Sequence, residues 1–188
     1  QAMVKAFKEK GYKKCKLIAY GKYLEKVDGI SGLFIKAQNK YSIGTQIRKL
    51  NKELLELCEK EKPQLVFLYR ARHIYAATVK KIKQLGCTVF SYNNDNPFSK
   101  YYPRYFWRHY KKSLKYCDVS FVYRESNVSD CKNIGCAKVE ILRSYYLKER
   151  NFPMDKGKIE LQVPEILFLG HYEADNRREY LELLSKSG

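Results

Sequence analysis

The chain reads as an α/β protein built on a parallel sheet with helices on both faces. Three observations predict this. Short, largely apolar runs recur at 65–69, 88–92, 119–123 and 139–142. The run 65–69 is apolar throughout, as in strands of a parallel sheet buried on both sides. Stretches with helical spacing alternate with these runs, and that alternation requires right-handed βαβ crossovers. Each run also ends in polar residues, which parallel strands deposit along one sheet edge.

Taken in order, residues 1–10 have the pattern of an amphipathic helix, with Met3, Ala6 and Phe7 on one face and Gly11 as its stop. Residues 15–20 read as a short strand. Residues 21–44 read as irregular, with turn signals at Asp28-Gly29 and Ser31-Gly32 and a weak strand or helical turn at 33–35. The clearest helix is 45–62. Ile47, Leu50, Leu54, Leu57 and Cys58 recur at helical spacing, Thr45 can cap the start, and Pro63 ends it. A helix over 74–85 follows the strand 65–69 and stops at Gly86. The strand 88–92 leads to Pro97, and Pro103 suits the first turn of a helix over 103–116. After the strand 119–123 come a short helix 126–134, a stop at Gly135 and the strand 139–142. Residues 148–163 are polar, carry Pro153 and Gly157, and read as a linker. A strand at 166–169 and a helix at 176–186 complete the chain. The expected organisation is a domain 1–147, the linker 148–163, and the opening strand and helix of a further domain, 164–188.

Composition limits the function. The chain has 188 residues, 45% of them apolar, enough for a sizeable core. No apolar run approaches the roughly 18 residues of a membrane span. The helix-like pattern that opens at Gln1 places the native start upstream. Cys15, Cys58, Cys87, Cys117, Cys131 and Cys136 form no Cys-x-x-Cys pair. They read as small apolar residues of a reduced, cytosolic protein without a metal site. The formal charge of +17, from 37 basic and 20 acidic residues, favours anionic partners: nucleic acid, an acidic membrane surface or phosphorylated small molecules.

The strand ends carry the candidate chemistry. Arg70, Arg72 and His73 follow the first of the four runs, and Asn93, Asn94 and Asp95 follow the second. Arg124, Glu125, Ser126 and Asn127 follow the third, and Arg143 the fourth. In a parallel sheet these loops lie together, the geometry of a small-molecule cleft. Asn, Asp and Pro are also ordinary turn formers, and a polar loop follows any strand. Asp95 and His73 are the candidate general bases or hydroxyl binders. There is no Gly-rich phosphate loop and no Gly-x-Gly-x-x-Gly.

Two further stretches stand out. In 100–115, aromatic residues interleave with Arg104, Arg108, Lys111, Lys112 and Lys115. Phe106, Tyr110 and Leu114 share one helix face and read as core. That places Trp107 with the basic residues towards solvent, an arrangement suited to an anionic membrane surface or single-stranded nucleic acid, or to a plain solvated face. Gly170 and His171 end the run 166–169, and Arg177 and Arg178 open the last helix. Free N–H groups beside Arg suit a diphosphate.

The order and spacing of these motifs resemble the GT-B glycosyltransferases, in particular the CgeB-like, spore-maturation-type branch related to glycosyltransferase family 4. The stretches QAMVKAFKEKGY, PQLVFLYR, CTVFSYNNDNPFS, CDVSFVYRESNVSDCKNIGCAKVEILRSYY and PEILFLGHYEADNRREYLELL carry the likeness from Gln1 onward. The resemblance implies a Rossmann-like N-terminal half of a GT-B fold and transfer of a sugar from a nucleotide-sugar without a bound metal or other cofactor. By the resemblance, Asn94 and Asp95 face the cleft, and Gly170 with Arg177 lies near the donor diphosphate. Combined with the strand-end reading, the expected acceptor side is Arg70, Asn93, Asn94, Arg124 and Ser126, with Asp95 and His73 as catalytic candidates, and the expected donor side is Gly170, His171, Arg177 and Arg178. The acceptor would be a sugar, a lipid-linked group or a protein, and the setting cytoplasmic, with docking on the inner membrane face. LRSYY stands where family 4 commonly has a Pro-Asn-Gly type of turn, so retaining chemistry does not carry over. Two other readings compete: a basic nucleic-acid-binding α/β domain, which lacks any zinc-finger spacing or RNP motif, and a non-catalytic flavodoxin-like interaction domain.

Overall fold

The computed structural model describes residues 2–24, 29–143, 152 and 176–187. The chain divides into two compact units, Gln1–Leu147 and Lys148–Gly188. The first is an α/β unit on a four-stranded, all-parallel sheet in the order β1-β2-β3-β4. The strands are β1 (Leu65–Tyr69), β2 (Thr88–Asn93), β3 (Val119–Val122) and β4 (Val139–Ile141). The helices are α1 (Ala2–Glu9), α2 (Gly29–Tyr41), α3 (Thr45–Glu61), α4 (Ala76–Gln84), α5 (Arg108–Leu114) and α6 (Ser126–Asn133). In the second unit α7 spans Arg177–Ser187.

The register sorts the sheet into two faces. Val66 pairs with Val89, Leu68 with Ser91, Ser91 with Ser120, and Asn93 with Val122. That face is the buried one. Val66, Leu68 and Val89 pack with Leu50, Leu54 and Cys58 of α3 and Val79 and Ile82 of α4. Val122 packs with Tyr110 and Leu114 of α5 and Cys131 of α6. The other face carries Phe67, Phe90 and Phe121, all half-buried. Phe7 of α1 meets Phe67 edge-on at 6.2 Å, and Phe90 meets Phe121 at 5.7 Å. Helices therefore flank both faces, unequally, and β1 is less completely covered than its apolar sequence predicts.

Several expectations need correction. Residues 12–19 form no strand; a 3₁₀ turn, Tyr20–Tyr23, follows them. A strand needs a ladder as well as propensity, and no described strand pairs with this stretch. Residues 29–41, expected to be irregular, form α2. Gly29, at φ +75°, sits at its start, and the buried Gly32 lies inside it. Thr45 does not cap α3. Gly44 is the cap residue, and the Gln38 side chain accepts from the Gln46 N–H at 2.8 Å in its place. Residues 104–107 are turns, so α5 starts at Arg108 rather than at Pro103. Trp107 is 2% exposed, not solvent-facing. Tyr102, Phe106 and Tyr110 enclose it, with ring centroids 5.1–5.7 Å away. A turn in place of a helix at 104–107 rotates the indole into the core. The expected linker, apart from Phe152, and the strand 166–169 lie outside the described residues.

Candidate functional site

The carboxyl edge of the sheet is laced together, one loop to the next. After β1, Arg70 takes up the left-handed conformation, φ +46°, which few non-glycine residues adopt. Its N–H donates to Tyr92 O at 2.8 Å. Its guanidinium donates to Asp95 Oδ2 at 2.5 Å, joining the loops that follow β1 and β2. After β3, Arg124 donates to Asn94 O at 3.1 Å. Buried Asn127 donates to Asn96 Oδ1 at 2.8 Å. After β4, Arg143 donates to Tyr123 O at 3.0 Å and pairs with Glu125 at 2.8 Å. The four loops expected to share one edge do so, and each side-chain link joins neighbours in the strand order.

Two donors within this edge stay unused. Asn93 is 1% exposed. Its Oδ1 accepts from the Asp95 N–H at 3.0 Å, and its Nδ2 has no hydrogen-bond partner among the described residues. Arg72 lies over the Phe106 ring, 4.3 Å from the centroid. Its terminal Nη2 donates to Asn39 Oδ1, and its other terminal nitrogen, Nη1, is buried without a partner among the described residues. A buried donor left unsatisfied costs about 1–3 kcal/mol. Asn127 Oδ1, an acceptor at the same edge, likewise has no partner among the described residues.

His73 sits deeper than an exposed base would. It is 2% exposed, its Nε2 lies 3.0 Å from Asn39 Oδ1, and its ring contacts Tyr20. Burial, and then the charge of Arg72, push its pKa down to about 4. The imidazole is therefore neutral at pH 7 and packed into the fold. Its carbonyl accepts from Asn51 Nδ2 at 2.9 Å. Asn51 also donates to Ile47 O and accepts from the Tyr75 N–H and the Thr78 hydroxyl, each at 2.8 Å. All four of its hydrogen-bonding positions are used. This fixes the start of α4, and with it the β1 loop, against α3.

Of the remaining expected site residues, Ser126 is exposed at the start of α6, and Arg178 pairs with Glu182 at 2.7 Å along α7. Arg177 opens α7. Gly170 and His171 lie outside the described residues, so no geometry bears on the expected diphosphate site. Asn39, Asn51 and Asn96 are linking residues that sequence reasoning missed. A single amide carries no pattern, and only the tertiary contacts give these three a role. No group of three or more His, Cys, Asp or Glu placed for a metal occurs among the described residues. A surface cavity of about 490 Å³, lined by Val4, Lys5, Lys8, Glu9 and Leu17, contains none of the candidate residues. No family model matches the chain, and neither a curated protein nor a solved structure matches it.

Proposed function

We propose that this chain is the acceptor-side part of a glycosyltransferase that moves a sugar from a nucleotide-sugar to a hydroxyl-bearing acceptor. The observation that carries the reading is that the loops after β1 and β2, joined by the Arg70–Asp95 ion pair, bring the Asp95 carboxylate to the same sheet edge as the buried donors Asn93 Nδ2 and Arg72 Nη1, which have no partner among the described residues. A hydroxyl both donates and accepts, and this edge offers both complements. Of the two candidate bases, Asp95 has a side chain 25% exposed, whereas His73 is sealed in. Asp95 is therefore the group assigned to the acceptor hydroxyl. Its carboxylate takes the hydroxyl proton as the oxygen attacks the anomeric carbon. The bond from that carbon to the donor phosphate breaks, and the nucleoside diphosphate leaves. Arg70 holds the carboxylate in place, and Asn94, Arg124 and Ser126 line the approach. The six free thiols support a reducing, cytoplasmic setting.

Asp95→Asn keeps the side-chain shape and removes the charge and the base. Turnover of acceptor sugar by the whole enzyme should fall about 10²- to 10⁴-fold. Unchanged turnover would remove Asp95 from the mechanism. If neither sugars nor nucleotide-sugars bind in calorimetry, the transferase reading fails and the interaction-domain reading takes its place.

A further inference from the structure

Helix α2 turns its polar side inward and its apolar side outward. Asn39 accepts from Arg72 and lies 3.0 Å from His73 Nε2, and Gln38 accepts from the Gln46 N–H. These amides hold the helix to the β1 loop and to the start of α3. The opposite face carries Ile30, Leu33, Phe34, Ala37 and Tyr41, a continuous stripe at i, i+3, i+4, i+7 and i+11. Ile30 is 75% exposed, Leu33 64% and Phe34 66%. A surface helix normally buries such a stripe.

Two stretches that meet at the end of α2 carry one sign of charge. Residues 29–52 hold five Lys or Arg and residues 96–117 hold six, and neither stretch holds an Asp or Glu. The two stretches meet at the end of α2. Tyr41 packs on Tyr105 at 4.9 Å, and Arg108 Nη2 donates to Tyr41 O at 3.2 Å. Exposed Lys36 and Lys40 thus flank the stripe on α2 itself, and Arg108 joins it at the Tyr41 end.

We propose that the α2 face docks on an anionic lipid surface, with Ile30, Leu33 and Phe34 inserted among the acyl chains and the basic rim on the headgroups. An apolar helix face with a cationic border is the arrangement that lies in a bilayer interface. Aliphatic side chains at the centre favour lipid over nucleic acid, which is bound by stacking and phosphate contacts. The basic rim disfavours a second copy of this chain, since two such surfaces repel. This docking surface is independent of the transferase reading. It differs from the surface expected from sequence because Trp107 is buried and takes no part.

The test is sedimentation of the whole chain with phosphatidylglycerol vesicles and with pure phosphatidylcholine vesicles. Binding should require the anionic lipid and weaken with salt. It should drop about fivefold for each of Lys36→Gln and Lys40→Gln. Leu33→Asp with Phe34→Asp should lower it at least about a hundredfold. Both positions are exposed, and an unchanged far-ultraviolet dichroism spectrum verifies folding. Independently, Phe34→Trp should bring emission that moves to the blue on vesicles and is quenched by brominated lipid. The wild-type chain, whose single Trp107 is buried, should show neither. Any of three results overturns the proposal: no sedimentation with anionic vesicles, sedimentation that ignores the Leu33 and Phe34 changes, or a dimer that those changes dissociate in the absence of lipid. Binding of single-stranded RNA in place of vesicles would assign the surface to nucleic acid and overturn it equally.

Discussion

His73 gives the molecule an acid-sensitive point that no surface histidine would. Its folded pKa of about 4 lies below the ordinary value of 6.5. Between those two values the unfolded chain binds the extra proton and the folded chain does not. Stability is therefore full above about pH 6.5, falls as the pH drops towards 4, and loses nothing more to this group below that. The shift corresponds to at most about 3 kcal/mol. His109 is displaced in the same direction, by burial and then by Arg108, so it adds to the same slope. Urea unfolding between pH 7 and pH 5, above most carboxylate titration, should show stability falling with acid in the wild type and a shallower slope in His73→Gln. Equal slopes would mean that the imidazole is not shielded as described. At this scale the sequence was half legible. His73, Asp95 and Arg70 stand at strand ends in plain view. The partners that decide what each can do, Asn39 for His73 and Arg72, come from an element 30 or more residues earlier.

At the scale of elements, Gly44 sets the turn between α2 and α3. It has φ +108° and ψ −175°, a region essentially reserved for glycine. A Cβ there would also meet the Gln38 side chain at 2.4–2.6 Å, displacing the amide that caps α3. Gly44→Ala should destabilise the fold by about 1–3 kcal/mol, measurable as a lower denaturation midpoint. A variant as stable as the wild type would show that the turn relaxes without it. The strands were legible because each is an apolar run closed by turn residues. Helix α2 was not, because Asp28-Gly29 and Ser31-Gly32 read as turn signals across its first turn and masked the helical spacing of Ile30, Leu33, Phe34 and Ala37. Residues 12–19 failed for the opposite reason. They have strand propensity at Cys15, Leu17 and Ile18, but a strand depends on a neighbour that local sequence does not specify.

For the whole molecule, the chain divides into Gln1–Leu147 and Lys148–Gly188. Among the described residues, those of the two core clusters, from Tyr23 to Cys131, belong to the first unit. A chain ending at Leu147 should retain the far-ultraviolet dichroism of the sheet unit and a cooperative unfolding transition. Loss of that transition would mean that residues after Leu147 complete the sheet. The all-parallel sheet flanked by helices was legible from alternation alone. The two exposed surfaces were less so. Charge along the sequence gave the sign of the surface, but where its basic residues lie depends on Trp107 turning inward and α2 turning outward.

The strand order β1-β2-β3-β4 also bears on how the chain comes to be folded. Among the described strands, each pairs with its immediate predecessor and successor, so each loop closure spans a single helix and its connections. Pairing between consecutive strands closes shorter loops than pairing with distant strands would. On a ribosome, β1 is already outside when β2 emerges, and each later strand meets a finished edge. The sheet can grow in the direction of synthesis, one strand at a time, each new strand adding to the edge its predecessor has just formed.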